Sequence, residues 1–185
     1  KSLPEIRRLL FEGKNKEAQE LMYTSFVPKK PEKGGTYGTF QMLADLYLEH
    51  QYGNHAKDTV SHYRRWLDLS KGIAYTTFSR GTVRYVREYV VSRDKDVILI
   101  HLKADVPGSI NFKMNLSRPE RGNVRKLTEG KLELSGCLDS GSSQPGVRYA
   151  AIAGVTCKGK QVQQSTDEQS INIQHADEAW IVVSA

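Results

Sequence analysis

The stretch Ile110-Asn111-Phe112-Lys113-Met114-Asn115-Leu116-Ser117 alternates apolar and polar side chains without a break. Successive side chains of a β-strand point to opposite faces, so this period of two predicts a strand with one apolar face and one face in water. Asn115 is assigned to the wet face and Leu116 to the core. The next segment, Arg118-Pro119-Glu120-Arg121-Gly122, predicts a strand exit with solvated arginines, because proline cannot continue a ladder and glycine permits a turn.

The same period recurs along most of the chain from residue 40 onward. Residues 82–91 alternate and are rich in valine and tyrosine, whereas Ile98-Leu99-Ile100 is apolar at consecutive positions, which favours burial on both sides. Short turn signals such as Arg93-Asp94-Lys95-Asp96 separate the segments. Further strands are predicted at about 45–49, 63–69, 73–79, 131–136, 147–157, 170–174 and 179–184. Strands joined by short hairpins predict a mainly β fold: a large antiparallel β-sandwich, or super-sandwich.

A short helical lead-in precedes these strands. Ser2-Leu3-Pro4-Glu5 has the pattern of a capping box, and Ile6, Leu9 and Leu10 follow on one helical face. Asn15 can cap a second helix, with Ala18, Leu21 and Met22 on one face. The organisation expected is a helical lead-in at 1–27 packed on the sandwich, a polar loop at 28–39 and the β-sandwich at 40–185. The chain lacks an initial Met and ends within a predicted strand, so we expect a single-domain fragment of a longer protein.

Composition and charge narrow the classes of protein. The 185 residues are 38 % hydrophobic and 26 % charged, which is typical of a globular domain, and no apolar run is long enough to span a membrane. Residues 64–126 hold 14 Lys and Arg against 6 Asp and Glu, and residues 127–185 hold 4 against 7. A basic face can attract nucleic acid. No motif of a known nucleic-acid-binding fold accompanies it, so no nucleic-acid partner is expected.

The two cysteines are predicted to be free thiols. A hairpin between the strands at 131–136 and 147–157 places Cys137 opposite roughly residue 147. Cys157 then lies about ten residues further along the ladder, roughly 30 Å away, which is too far for a disulfide.

Hydrolysis of a glycosidic bond needs two carboxylates that face each other across roughly 5–10 Å. The acidic candidates are Asp94 with Asp96, Asp139, Asp167 with Glu168, and Asp177 with Glu178; all are assigned to loops or strand starts. Asp94 and Asp96 suit a hairpin turn. The five histidines show no metal-ligand spacing. We therefore expect no catalytic residue, metal or cofactor in this chain, and interpret His101 as a satisfied residue of a strand.

Aromatic side chains on a sandwich can stack on sugar rings. Most of the tyrosines and tryptophans lie in alternating strands, where core packing is the simpler interpretation. Tyr37 and Tyr52 fall in loops and are the candidates for contact with sugar.

Several segments in order resemble a known family along nearly the whole chain. They include Leu3-Pro4-Glu5-Ile6-Arg7-Arg8-Leu9-Leu10, Tyr63-Arg64-Arg65-Trp66-Leu67, Tyr85-Val86-Arg87-Glu88, Ser117-Arg118-Pro119-Glu120-Arg121-Gly122 and Val147-Arg148-Tyr149-Ala150-Ala151. In this order they resemble the N-terminal domain of glycoside hydrolase family 95, the inverting α-L-fucosidases, some of which prefer α-L-galactosides. Met42 and Ala44 depart from the proline and glycine that many members carry.

The resemblance implies a β-super-sandwich packed against a helical (α/α)6 barrel. In the family, the barrel carries the catalytic acid and the groups that activate water, so no catalytic residue transfers to a position here. The fragment alone is expected to be inactive. The parent is expected to be periplasmic or secreted, and its barrel is the expected partner. Self-association through the exposed docking face is expected as well.

Three functions are consistent with these residues. One is a non-catalytic domain that supports the barrel of an α-L-fucosidase-like enzyme. Another is a carbohydrate-binding β-sandwich module that takes fucosylated glycans through Tyr37 and Tyr52. The third, binding of acidic polysaccharide or nucleic acid through the basic face, predicts a steep dependence on salt.

Overall fold

The computed structural model describes residues 2–26, 41–139 and 145–185. The chain divides into two compact units, one holding the helices and the other the strands. The elements within the described ranges are α1 Leu3–Phe11, α2 Asn15–Phe26, β1 Asp45–Gln51, β2 Val60–Asp68, β3 Ile73–Arg80, β4 Val83–Ser92, β5 Val97–Ala104, β6 Ile110–Ser117, β7 Gly122–Thr128, β8 Lys131–Asp139, β9 Pro145–Lys158, β10 Gln163–Thr166, β11 Ser170–Ala176 and β12 Glu178–Ser184.

The helical unit has a small core of its own. Ile6, Leu9 and Ala18 are buried together and Leu21 packs against them. Leu10 is 51 % exposed and Met22 is 41 % exposed, so neither joins the core that the two helices share. Docking of the helices on the sandwich stays a prediction.

The predicted capping box does not form. Ser2 has helical backbone angles of −84° and −12°, and its side chain makes no cap hydrogen bond. The carboxylate of Glu5, which the box would use, accepts hydrogen bonds from the Arg8 guanidinium at 2.9 and 2.6 Å. The ion pair therefore takes the place of the box.

The strand unit confirms the predicted antiparallel sandwich. One sheet has four strands in the order β1-β6-β11-β10, and the other has eight in the order β2-β3-β4-β5-β12-β9-β8-β7. The inner faces of the two sheets enclose the core. Fully buried side chains include Phe112 and Met114 from β6, Leu132 and Leu134 from β8, and Ile181 from β12.

Local registers follow the sequence. Alternation along β6 places Phe112, Met114 and Leu116 inward, as predicted. Cys137 pairs with Arg148, close to the predicted partner, and Cys157 pairs with Ala179 on another strand. Both cysteines are free thiols.

Two strands were not predicted from the sequence, and the burial of one segment was predicted wrongly. The turn around Gly122 opens directly into β7, and the short β10 precedes β11; neither segment alternates in the way that marks β6. Ile98 is 44 % exposed, so burial of Ile98-Leu99-Ile100 on both sides was wrong. Ile98 is exposed because the eight-stranded sheet is wider than the four-stranded sheet, so its strand ends extend beyond the sheet that covers them.

Candidate functional site

The candidate site lies at one end of the sandwich, where β1 leaves its sheet. The chain turns there at Gly53, with φ 54°, and at Gly108, with φ 73°. The Asp177 carboxylate accepts the Gly108 backbone N–H at 2.7 Å and fixes the second turn. The pairing of β11 with β6 shifts between Ile173 and Ala176, which is a β-bulge. Bulges re-aim side chains at the ends of sheets.

His175 is the residue that the bulge displaces. Its φ is 57°, in the left-handed region that a β-carbon disfavours. Its backbone N–H donates to the Asn111 side-chain oxygen at 2.8 Å, which holds it there. The bulge thus directs His175 toward the end of the sandwich instead of continuing the ladder.

A depression of about 430 Å³ opens at this end, within the size range of small-molecule sites. We call it the Tyr52 depression. Its polar lining includes Gln51, Tyr52, Asn54, Asn111, Gln174 and His175. A second depression of about 340 Å³ adjoins it, and Gly108 and His175 line both.

Tyr52 forms a fixed wall of the depression. Its hydroxyl accepts a hydrogen bond from the Arg87 guanidinium at 2.7 Å, and the Arg80 guanidinium lies 4.4 Å from its ring centroid. Its edge contacts Tyr85, with centroids 5.2 Å apart. Since these contacts occupy much of the ring, contact of Tyr52 with sugar stays a prediction, through its edge rather than through stacking. Tyr37 lies outside the described residues.

His50 lies beneath this wall and is neutral. Burial, and then the charge of Arg87, lower its pKa from 6.5 to about 4. Burial also raises the pKa of the neighbouring Tyr85. Both side chains therefore stay uncharged at neutral pH.

His101 bridges two carboxylates and lies elsewhere, on the outer face of the eight-stranded sheet. His101 Nδ1 is 2.7 Å from a Glu88 oxygen, and its Nε2 is 3.1 Å from a Glu178 oxygen. The ring fills the space between the two acids, where a glycosidase would hold water or a sugar. This geometry favours a structural tie across β4, β5 and β12.

The contact between Glu88 and His101 could have been predicted from the sequence. Ser92 pairs with Val97 across the predicted turn, so Glu88 and His101, each four residues from that pair, must face each other. Glu178 arrives from β12 through a long-range pairing that no local pattern indicates.

Several of the other acidic candidates hold turns or pair with basic side chains. Asp167 accepts the backbone N–H groups of Gln169 and Ser170 at 2.9 and 2.6 Å, and these bonds, with the Ser170 hydroxyl, lower its pKa. Asp139 pairs with Arg121 at 3.0 Å. In the described part of the chain, no three His, Cys, Asp or Glu side chains are grouped to hold a metal.

A third feature is an apolar strip on the inner face of the eight-stranded sheet. Register places Leu67, Ala74, Tyr89, Ile100 and Ile181 in one row across β2, β3, β4, β5 and β12. Ile181 is 0 % exposed and Ile100 is 7 % exposed, whereas Leu67 at the sheet edge is 58 % exposed. Burial is lost toward β2 because the four-stranded sheet does not cover that end of the row.

The next row shows the same gradient. Ala153 is 0 % exposed, whereas Ile98 is 44 % and Val91 is 71 % exposed. An opening of about 800 Å³ between the sheets begins here, and Leu46, Val91 and Ile98 line it. We call this region, with Leu67, Ala74 and Tyr89, the apolar shelf.

Comparison with known proteins identifies a domain family and a relative. A family described as glycosyl hydrolase family 65, N-terminal domain, matches residues 1–185. Alpha-L-fucosidase 2 of Arabidopsis thaliana is 27 % identical over 206 residues. The match covers 100 % of this chain but 23 % of that protein. Neither described helix is long and apolar enough to cross a membrane. With its full length matched, the chain belongs to the glycosyl hydrolase family 65 N-terminal domain family.

Proposed function

We propose that the chain is the non-catalytic N-terminal domain of an α-L-fucosidase-like hydrolase of the family 95 type, and that it supports a catalytic (α/α)6 barrel elsewhere in the parent. The plant fucosidase of which the chain spans 23 % supports this, as do the ordered family 95 segments. The proposal includes a periplasmic or secreted parent. The carboxylates argue in the same direction, because Glu88, Glu178 and Asp167 are engaged in structural contacts.

The apolar shelf is the observation that carries the proposal. Val91 and Leu67 are 71 % and 58 % exposed on the same inner face that forms the core further along. Contiguous exposed apolar surface on a soluble domain marks an interaction site. The parent chain supplies the occupant, since a protein of the relative's length has most of its residues outside this segment.

Activity measurements on an aryl α-L-fucoside test the catalytic part. The 185-residue chain is expected to give no turnover, and the parent that contains it is expected to give turnover. Hydrolysis by the purified chain would overturn the proposal.

Substitution of the shelf tests the supporting part. Val91→Asp with Leu67→Asp in the parent places charges on the covered surface and is expected to lower its thermal stability and its activity together. Val147→Asp is the matched control, because Val147 is 69 % exposed on β9 and lies outside the shelf. Equal effects of the shelf and control variants would argue against docking at the shelf.

A second candidate function, a carbohydrate-binding module, is favoured by one feature only: the uncharged polar depression beside Tyr52.

A further inference from the structure

We infer that the Tyr52 depression is a binding site for uncharged, hydroxyl-rich ligands, namely neutral sugars and short neutral oligosaccharides. The inference deepens the second candidate function, the carbohydrate-binding module, and rests on it. It does not depend on the proposed docking role, because the depression and the apolar shelf lie in different parts of the sandwich.

Free amide groups give the depression its chemistry. The side chains of Gln51, Asn54 and Gln174 line it and make no hydrogen bond to another described residue. Each amide offers two N–H donors and one carbonyl acceptor. A sugar hydroxyl both donates and accepts, so a set of amides satisfies hydroxyls better than a set of charges of one sign does.

The lining is also poor in charged side chains. Asp, Glu, Lys and Arg are absent from the described residues that line the Tyr52 depression, and His55, which lines it, pairs with Asp58 at 2.6 Å. The donors of the two guanidinium groups behind its wall are used within the protein: Arg87 donates to the Tyr52 hydroxyl at 2.7 Å, and Arg80 donates to the Ala56 carbonyl at 2.7 Å. An ionic ligand would lose its hydration here without a carboxylate, ammonium or guanidinium group of the lining to pair with. A neutral ligand does not meet that penalty.

The walls are preorganised. Tyr52 is fixed by Arg80 and Arg87 on one side and packs edge-on against Tyr85 on the other. His175 is held in its strained backbone conformation by the hydrogen bond to Asn111. Fixed side chains lose little entropy when a ligand binds, and this loss is a main cost of weak sugar binding.

The shape indicates more than one sugar unit. The adjoining depressions of about 430 and 340 Å³ meet at Gly108 and His175. A chain of two or three rings can follow both, with its first ring against the amides. The far depression includes Lys160 and Asp177, and Asp177 is engaged with the Gly108 backbone.

The aromatic pairs on the outer face are less suited to this role. Trp66 and Tyr75 stack on each other with centroids 4.9 Å apart, and Trp180 is stacked between His101 and the Lys158 ammonium. Each of these rings already packs at least one face against a neighbouring side chain, so less of its surface is open to a sugar ring.

Titration of the ¹⁵N-labelled 185-residue chain tests the inference. L-Fucose, D-galactose and a neutral fucosylated trisaccharide are added to tens of millimolar, with D-galacturonate as the acidic comparison. We expect saturable shifts at residues 51–55, 108–111 and 174–175, the tightest binding for the trisaccharide, and no dependence on salt. Gln174→Ala and Asn54→Ala are expected to weaken binding by about tenfold each, the value of one lost hydrogen bond.

Asn123→Ala is the matched control, because it removes an exposed amide on β7, outside the depression. The shifts should be unchanged in that variant. The inference is overturned if neutral sugars give no shift, if the shifts fall elsewhere, or if galacturonate binds more tightly with a steep salt dependence. None of these outcomes would bear on the docking role, which the parent's activity tests separately.

Discussion

The His101 imidazole stacks on the Trp180 indole across β5 and β12, with ring centroids 4.7 Å apart and 9° between the ring planes. These two residues are direct partners in the ladder, and Glu88 is the direct partner of His101 on the other side. Register extends the row to Tyr75 and Trp66, which also stack. Such cross-strand pairs stabilise a sheet.

Loss of the imidazole should therefore weaken the whole sheet. His101→Ala removes the stack and two hydrogen bonds and leaves Glu88 without its partner, so we expect about 2–3 kcal/mol less stability in urea unfolding. His62→Asn, at an exposed histidine of β2 whose left-handed φ of 51° asparagine also tolerates, should change stability by less than about 0.5 kcal/mol. Similar losses in the two variants would contradict a structural role for the His101 row.

His50 predicts a pH dependence of stability. Its pKa is about 4 in the folded chain against 6.5 when exposed, so the unfolded chain binds the extra proton first. The contribution of His50 to stability is therefore complete above pH 6.5 and is lost as the pH falls through about 4. The full loss amounts to roughly 3 kcal/mol.

Unfolding free energies of the wild type and His50→Leu across this pH range measure the effect. The wild type should lose more stability than His50→Leu as the pH falls, because the leucine cannot take up a proton. His62→Asn, an exposed control, should keep the slope of the wild type. Parallel curves for wild type and His50→Leu would show that His50 is not buried in its neutral form.

We expect that Gly136 does not tolerate a side chain. The reason is a clash with neighbouring atoms and not the backbone φ angle. A β-carbon at this position would overlap the Arg121 carbonyl oxygen and the Tyr149 hydroxyl, which donates to that same carbonyl. Gly136→Ala must therefore displace backbone, and we expect a loss of about 3 kcal/mol.

Gly154→Ala is the matched control within the same sheet. Its β-carbon would lie 3.5 Å from the nearest atom, in the Lys131 side chain, which is an ordinary contact. We expect unchanged or slightly increased stability, since alanine restricts the unfolded chain. Thermal unfolding of both variants tests this prediction. Equal melting temperatures would contradict the expected clash at Gly136.

Local patterns in the sequence predicted much of this fold. Alternation gave the inward face of β6, and the turn at Arg93-Asp94-Lys95-Asp96 placed β4 beside β5. The position of β12 between β5 and β9 could not be predicted, because pairing between distant segments leaves no periodic signal. The unequal width of the two sheets, which exposes Val91, follows from that same long-range order.

One residue of the Tyr52 depression was a candidate from the sequence. Tyr52 was chosen because it falls in a loop, and its contact with sugar stays a prediction. The amide of Gln174 and the displaced His175 reach the same depression through a bulge in β11. A bulge adds one residue to a ladder, and its position depends on the partner strand. The partner strand is β6, and the sequence of β11 alone does not reveal this pairing.

Arg118 was predicted to be a solvated turn residue, and this was wrong. Its guanidinium donates to the backbone carbonyls of Met42 and Leu43, the latter at 3.0 Å, and to the Gln41 side chain at 2.8 Å. It also lies 4.6 Å from the Tyr149 ring centroid. The hydrogen bonds of the Arg118 guanidinium thus join the segment before β1 to the turn after β6.

Arg118→Ala should therefore release residues 41–44 and fray the start of β1, with a loss of about 2 kcal/mol. Arg118→Lys should recover only part of this, because an ammonium group cannot match several acceptors with a planar fork. Hydrogen exchange measures the local effect: amides at the start of β1 should exchange faster in both variants, while those of β8 should not change. Arg65→Ala, at an exposed arginine of β2, controls for loss of charge. Unchanged protection of β1 in Arg118→Ala would show that these hydrogen bonds do not hold the segment in solution.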